Sequence, residues 1–361
     1  MKKMVSLVLA FFLALPLFFM ATAKAKENVS KFGMLTMLNM SEEEMTQYVS
    51  DNEQALYRLI SGGTSGLTDD WGDTGSLEVP YATLKIVYYD TLDAMLLALN
   101  AGKIIGLETY GATARYMILN NPELMLIGAQ NGGKNMNAFV NTVCESLLSN
   151  DFAFMFMEGS ADLRDAFNET IAEMKKDGTL DALIQTYIEG VAAGDEPKRI
   201  TLPRADGADT LRVAITGSLP PLDYVAPDGT PAGFNTAMLA EIGSRMGKNV
   251  EIVQVDSIGR AAALASGAVD AVLWTRTNHY ANLFSMIDNE ERRHWAWETF
   301  GAATEEEKDT LNLILDLIEF IPFGAGDMPN GTIISDPYYT DAAVPILTKA
   351  AGEAMKNPSD R

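Results

Sequence analysis

The stretch Gly128-Ala129-Gln130-Asn131-Gly132-Gly133-Lys134-Asn135 comes within one residue of a phosphate-cradling loop. Such a loop holds phosphates with backbone N–H groups and a lysine, and holds magnesium with a following Ser or Thr hydroxyl. Asn135 stands where that hydroxyl is needed, so the segment does not support nucleotide chemistry. His279 and His294 are the only histidines, and neither has a paired acid at ligand spacing, so both read as core or surface residues. Cys144 is the single cysteine; it has no internal disulfide partner and no zinc-type Cys/His spacing, and it reads as a small buried apolar side chain. No Gly-x-Ser-x-Gly elbow is present. No metal or cofactor site is expected from these residues.

Composition narrows what can be recognised. The 361 residues are 47% hydrophobic, enough for a real core, and at about 100–200 residues per domain they predict two units. The formal charge of −22 repels nucleic-acid backbones and anionic lipid headgroups, so neither is an expected partner.

The first residues read as an export signal. Lys2 and Lys3 precede an apolar run over 5–20, and Ala21-Thr22-Ala23-Lys24-Ala25 follows with the small-residue pattern of a cleavage site. We expect residues 1–25 to be a signal peptide, with cleavage after Ala23 or Ala25. No cysteine follows the run to carry a lipid anchor, and no later stretch reaches about 18 apolar residues. The expected location is periplasmic or extracellular, with no stable membrane insertion after cleavage.

Behind the leader, strand-like and helix-like runs alternate, which predicts an α/β fold. Strands are expected at 32–38, 83–89, 103–109, 124–127 and 153–157. Helices are expected from Asn39 or Ser41, around Leu92 to Leu99, over 112–119, and from an N-cap at Ser160. In that last helix Leu163, Phe167, Ile171 and Met174 form one apolar stripe, with Lys175, Lys176 and then Gly178 marking its end. A shorter helix over 180–188 completes this half. Residues 189–209 lack periodicity and read as a linker. The pattern then restarts, with strands at 211–216, 250–255 and 268–274 and helices at 236–246 and 260–265. Residues 278–331 read as an insertion whose helices cover the core, or as a docking surface if Trp295 and Trp297 are exposed.

Three segments resemble the family 3 extracellular solute-binding proteins, the amino-acid-type receptors of ABC importers. They are Leu211 to Thr216 with Pro220-Pro221-Leu222-Asp223-Tyr224 and the run from Asp228 to Asn235; Val255-Asp256 with the run from Ala263 to Ala271; and Ser335-Asp336-Pro337-Tyr338-Tyr339-Thr340. They are similar to one lobe of such a receptor. The run from Thr91 to Lys103, then Ala114-Arg115-Tyr116, and the span from Asp162 to Tyr187 resemble the other lobe and the family's terminal helical pair. The order is reversed; a circular permutation accounts for this better than its rival, two incomplete domains in tandem, because each half lacks the segments the other supplies. The resemblance implies a type II, two-lobed periplasmic-binding-protein fold: 28–188 mainly the second lobe with the helical pair at 160–188, a linker at 189–209, and 210–361 mainly the first lobe. It also implies an ABC permease partner and a small polar solute held between the lobes, carboxylate-bearing or amino-acid-like.

Carried over position by position, the family's contacts fall on Thr216, Leu219, Ser257 and the run Trp274-Thr275-Arg276-Thr277 in one lobe. In the other they fall on Asn39, Met40, Ser41 and Tyr110. The family's carboxylate-clamping arginine falls on Asn282, so Arg276 is the expected replacement, because a guanidinium matches a carboxylate with two parallel bonds. Trp274 or Tyr110 could supply a stacking wall. The acid that takes the ligand's amine falls on Tyr110, so an ordinary α-amino acid is not the default ligand. Two other functions stay open: a sensory or partner-binding protein that has lost its solute, and a periplasmic dehydratase-like enzyme. The second lacks an acid at the mapped positions, with Glu108 turned off the site by strand alternation.

Overall fold

The computed structural model describes residues 30–35, 84–126, 139, 142–143, 146–147, 149–256, 259–277, 281–319 and 329–351. The expected leader, the helix from Asn39 or Ser41, the near-phosphate loop, Cys144, Ser257 and His279 lie outside them.

The first half contributes β1 (Ser30–Leu35), β2 (Leu84–Tyr89), α1 (Leu92–Asn100), β3 (Gly106–Tyr110), α2 (Gly111–Asn120), β4 (Leu124–Leu126), β5 (Asn150–Met157), α3 (Ala161–Lys176) and α4 (Thr179–Ile184). Helix α1 starts where the Thr91 side chain accepts the Ala94 amide at 3.2 Å, and it buries Leu92, Met95, Ala98 and Leu99 along one face. Gly102, at φ +66°, turns the chain out of it, a conformation that costs other residues a Cβ clash. Helix α3 buries Phe167, Ile171 and Met174 as its stripe predicts. Ser160 stands at its N-cap as expected, but its side chain makes no capping bond, because it ends a 3-10 turn over Glu158–Ser160 that leads straight into the helix. Helix α4 runs on through Gln185–Glu189 to Ala192.

The stretch that follows carries no regular structure until residue 210. It is pinned, not loose. The Asn249 side chain accepts from Ala205 N at 2.6 Å and donates to the carbonyls of Ala205 and Ala208 at 3.1 Å each.

The second half contributes β6 (Thr210–Ile215), β7 (Ser218–Leu219), β8 (Asp223–Val225), β9 (Pro231–Ala232), α5 (Phe234–Arg245), β10 (Asn249–Gln254), α6 (Gly259–Ala265) and β11 (Ala271–Thr277). After them come α7 (Ala281–Met286), α8 (Asn289–Thr299), α9 (Glu305–Glu319), β12 (Thr332–Ile334), β13 (Tyr339–Asp341) and β14 (Ala343–Thr348). Strand β11 starts three residues later than the sequence pattern suggests. Gly267, at φ +71°, closes the preceding helix, and Asp270 is held by Arg212 at 2.7 Å before the ladder begins. Thr275, Arg276 and Thr277 are thereby drawn into the strand.

Helices α7 to α9 fill the expected insertion. Asp288 and Glu291 form a reciprocal capping box at the start of α8. Trp295 lies edge-on to Phe284 at 5.3 Å and to Phe300 at 6.0 Å; Trp297 donates to Asn312 at 3.1 Å. Both indoles are half-buried and Leu311 and Ile314 fully so, which favours the covering role over an exposed aromatic patch.

Two main sheets organise the chain. Sheet I runs β2-β1-β3-β14-β4 and sheet II runs β10-β6-β11-β5-β12, with β13 also on β5. Strands β1, β2 and β3 are mutually parallel, as are β10, β6 and β11; β14 and β5 enter their sheets antiparallel. Each half of the chain thus lends one strand to the other half's sheet. β5 comes from the first half and sits between β11 and β12; β14 comes from the second half and sits between β3 and β4. The two crossing segments touch, because Tyr339 pairs with Phe152 and Asp341 with Asn150.

The core of sheet II shows why β5 crosses. Phe152, Phe154 and Phe156 alternate onto one face of the strand, the period-2 pattern of a pleated sheet. Phe154 packs on Phe167 at 5.2 Å and on Tyr338 at 5.0 Å, and Phe156 packs on Phe167 at 5.0 Å. Burying one such ring is worth about 1.5–3 kcal/mol, so the three together hold the crossing strand firmly in sheet II.

Candidate functional site

The two sheets meet where β3 and β11 end. Tyr110 is the last residue of β3, and its backbone, at φ −61° and ψ 146°, turns directly into α2. Its side chain leaves sheet I and reaches sheet II. The hydroxyl lies 3.2 Å from Thr275 Oγ1, and the ring stands edge-on to Phe152 with centroids 5.0 Å apart. Only 3% of Tyr110 is exposed, and burial pushes its phenol up to about 12.

Around this contact sheet II supplies a buried polar cluster. Thr216, just past β6, donates to Asp223 Oδ2 at 3.0 Å, and Gly217 N donates to the same oxygen at 2.8 Å. Asp223 is fully buried; desolvation raises its pKa, and the two donors and the Arg260 charge pull it back. Arg260 lies 4.9 Å over the Trp274 ring and donates to the Leu273 carbonyl at 2.8 Å. Burial works against its charge, while Tyr110 and Asp223 favour it, and a guanidinium stays protonated in any such balance.

The crossing segments add a second set of buried polar groups. Asp341 Oδ2 accepts the Ala112 amide at 2.9 Å, capping α2 from a strand 229 residues away. Gly111 makes room for it, since a Cβ there would stand 2.7 Å from Asp341 Oδ1. Burial raises Asp341 to about 6, against the helix amide and the nearby Arg115 charge. Beside it in the ladder, Asn150 is buried with neither amide atom hydrogen-bonded.

The expected site residues divide into four groups. Tyr110 and Thr275 are brought together across the sheets, with Thr216 nearby. Leu219 and Trp274 are mostly packing residues. Leu219 is 4% exposed and pairs with Asp223 in the small β7-β8-β9 sheet; Trp274 joins Val272, Leu264 and Met155 under α6. Arg276 and Thr277 occupy register positions opposite Asp151 and Asn150 on β5. Asn39, Met40, Ser41 and Ser257 lie outside the described residues. Glu108 is fully buried in the middle of sheet I with no hydrogen-bond partner for either oxygen. His294 lies on the exposed side of α8 with its ring 4.8 Å from Trp297. Among the described residues no group of His, Cys, Asp and Glu side chains could hold a metal ion.

Sequence reasoning missed Asp223, Arg260, Phe152 and Asp341. The available signal was an acid directly behind the Pro-Pro pair and an arginine in the first turn of α6, both polar residues at positions that must be buried.

Residues 211–289 match the family model of bacterial extracellular solute-binding proteins, family 3, a family of binding proteins and not of enzymes. The match spans β6 to the start of α8. No curated protein sequence matches the chain. Among solved structures, the chain is similar to the ligand-binding component of an ABC-type import system from Staphylococcus aureus, at 10% identity and a TM-score of 0.35, covering 92% of this chain and 72% of that one. It is similar to the GluR0 ligand-binding core from Nostoc punctiforme, solved with L-glutamate, at 10% identity and 0.32, covering 91% and 92%. It is also similar to the periplasmic aliphatic sulphonate binding protein SsuA from Escherichia coli, at 11% and 0.35, covering 92% and 68%. Overlays this loose carry no ligand across.

Proposed function

We propose that this chain is an extracytoplasmic solute-binding protein that encloses one small polar solute between sheets I and II and hands it to an ABC-type permease. The observation that carries this reading is the meeting of Tyr110 with Thr275, which brings the carboxyl ends of strands from two separate sheets face to face. In open α/β sheets that is where ligands bind, because strand ends and helix N-termini offer free backbone groups there. Two touching crossover segments, β5 and β13-β14, join the sheets, an arrangement suited to hinge bending. The family match over 211–289 supports the same reading for sheet II. No helix among the described residues is long and apolar enough to cross a membrane.

The solute we infer is small and anionic or amino-acid-like, with Arg276 as its clamp. A circular permutation accounts for the chain order, and the placement of β1 and β14 on either side of β3 in one sheet supports it. A solute-free sensory role is favoured by one observation: Thr216 and Thr275 already spend their hydroxyls on Asp223 and Tyr110. A thermal-shift screen of amino acids, small carboxylates and amines separates the two. A solute at a hundred times its dissociation constant stabilises the native state by about 2.7 kcal/mol, and a screen with no stabilising compound would reject the transport reading.

A further inference from the structure

We propose that Tyr110 is an internal occupant of the interlobe site: its phenol fills the position a solute would take and holds the two sheets together without one. The inference rests on the reading of the cleft as a solute site and concerns which side Tyr110 takes in it. A contact residue lines a site from its own lobe. Tyr110 instead starts in sheet I and ends in sheet II, with its hydroxyl on Thr275 and its ring on Phe152, almost wholly out of solvent. The charges that act on its phenol include Arg260 and Asp223, both from the sheet II half. In chemical terms sheet II binds a para-substituted phenol, and that phenol is part of the chain.

The consequence has a sign. A solute that needs Thr275 and the flank of Phe152 must first displace the phenol, so its apparent affinity is reduced by the fraction of molecules in which Tyr110 is withdrawn. Weakening the Tyr110 contact then tightens solute binding. If Tyr110 were a wall on which a solute stacks, the same change would weaken it.

The test uses the full chain without added solute, as wild type, Tyr110→Phe and Tyr110→Ala, with 4-methylphenol and toluene as probes. Radius of gyration is read by small-angle scattering, and melting temperature with and without each probe. The wild type should be compact and indifferent to both probes. Tyr110→Phe should lower the ratio of closed to open molecules about fivefold, the size of one net hydrogen bond. Tyr110→Ala should expand, and 4-methylphenol should restore its compactness and raise its melting temperature. Toluene, which lacks the hydroxyl, should bind about fivefold more weakly. Equal radii for wild type and Tyr110→Phe, or 4-methylphenol leaving Tyr110→Ala unchanged, would overturn the proposal. Tyr110→Phe keeps the ring and decides the matter if truncation to alanine prevents folding. Failure of the two readings can be told apart. A screen that finds no solute, alongside rescue by 4-methylphenol, removes transport and keeps the occupant. A solute whose binding is weakened by Tyr110→Phe keeps transport and removes the occupant.

Discussion

The guanidinium of Arg260 lies 4.9 Å over the ring of Trp274, with its Nη1 on the carbonyl of Leu273, so one side chain ties α6 to the middle of β11. Arg260→Ala removes a cation–π contact, a charge-assisted bond and the packing of a buried stem. We expect a loss of about 2–3 kcal/mol in urea unfolding. A change within about 0.5 kcal/mol would mean that the contact does not hold α6 in place.

Arg276 carries the expected clamp. Arg276→Ala should abolish binding of an anionic solute found in the screen, a loss of at least about a hundredfold for a bidentate ion pair. Its register partner on β5 is Asp151, an acid. Unchanged affinity with lowered stability would make Arg276 a structural partner of the ladder and return the clamp to another residue.

Asp341 gives a pH dependence with a definite direction. Its carboxyl is raised from 3.8 to about 6, so between those values the native state keeps a proton that the unfolded chain releases. Stability from this group is therefore present below about pH 4, falls as the pH rises to about 6, and is level above. The full effect is about 3 kcal/mol. Asp341→Asn cannot ionise and its amide oxygen can still accept from Ala112. It should match the wild type near pH 4 and exceed it at pH 7 in chemical unfolding. A constant difference across that range would show that Asp341 is not the titrating group.

Glu108 has the same sign and the same cause, with no hydrogen bond or charge opposing it. Burial alone holds its pKa well above the usual carboxylate range, and neither oxygen has a hydrogen-bond partner. Replacing it with methionine, of similar length and no desolvation penalty, should stabilise the protein by about 1–3 kcal/mol at pH 7. Destabilisation in the same urea experiment would show that the carboxyl is paired in solution.

What the sequence made legible follows from how local each signal is. The strands at Leu84–Tyr89, Gly106–Tyr110 and Thr210–Ile215 and the helix stripe around Phe167, Ile171 and Met174 come from apolar periodicity over a few residues. Tyr110, Thr216 and Thr275 were reached through the family resemblance, which carries its contact positions onto such strands. The strand Ala343–Thr348 was not singled out, since its partners lie more than 200 residues away and nothing in its own six residues names them. Asp223, Arg260 and Asp341 were missed for a related reason. A polar residue reads as solvent-facing until its partners are known, and theirs are a threonine hydroxyl, a tryptophan face and a helix end set by tertiary packing.

The exchange of strands between the sheets also governs when the molecule can become itself. Both Gly106–Tyr110 and Leu124–Leu126 wait for residues 343–348, more than 200 positions further along the chain, to complete their ladders. Pairings across such sequence distances are slow, because long loops must close before any contact rewards them. A nascent chain of this kind keeps those ladders incomplete until the second half has emerged, and neither half cut from the other would inherit a whole sheet.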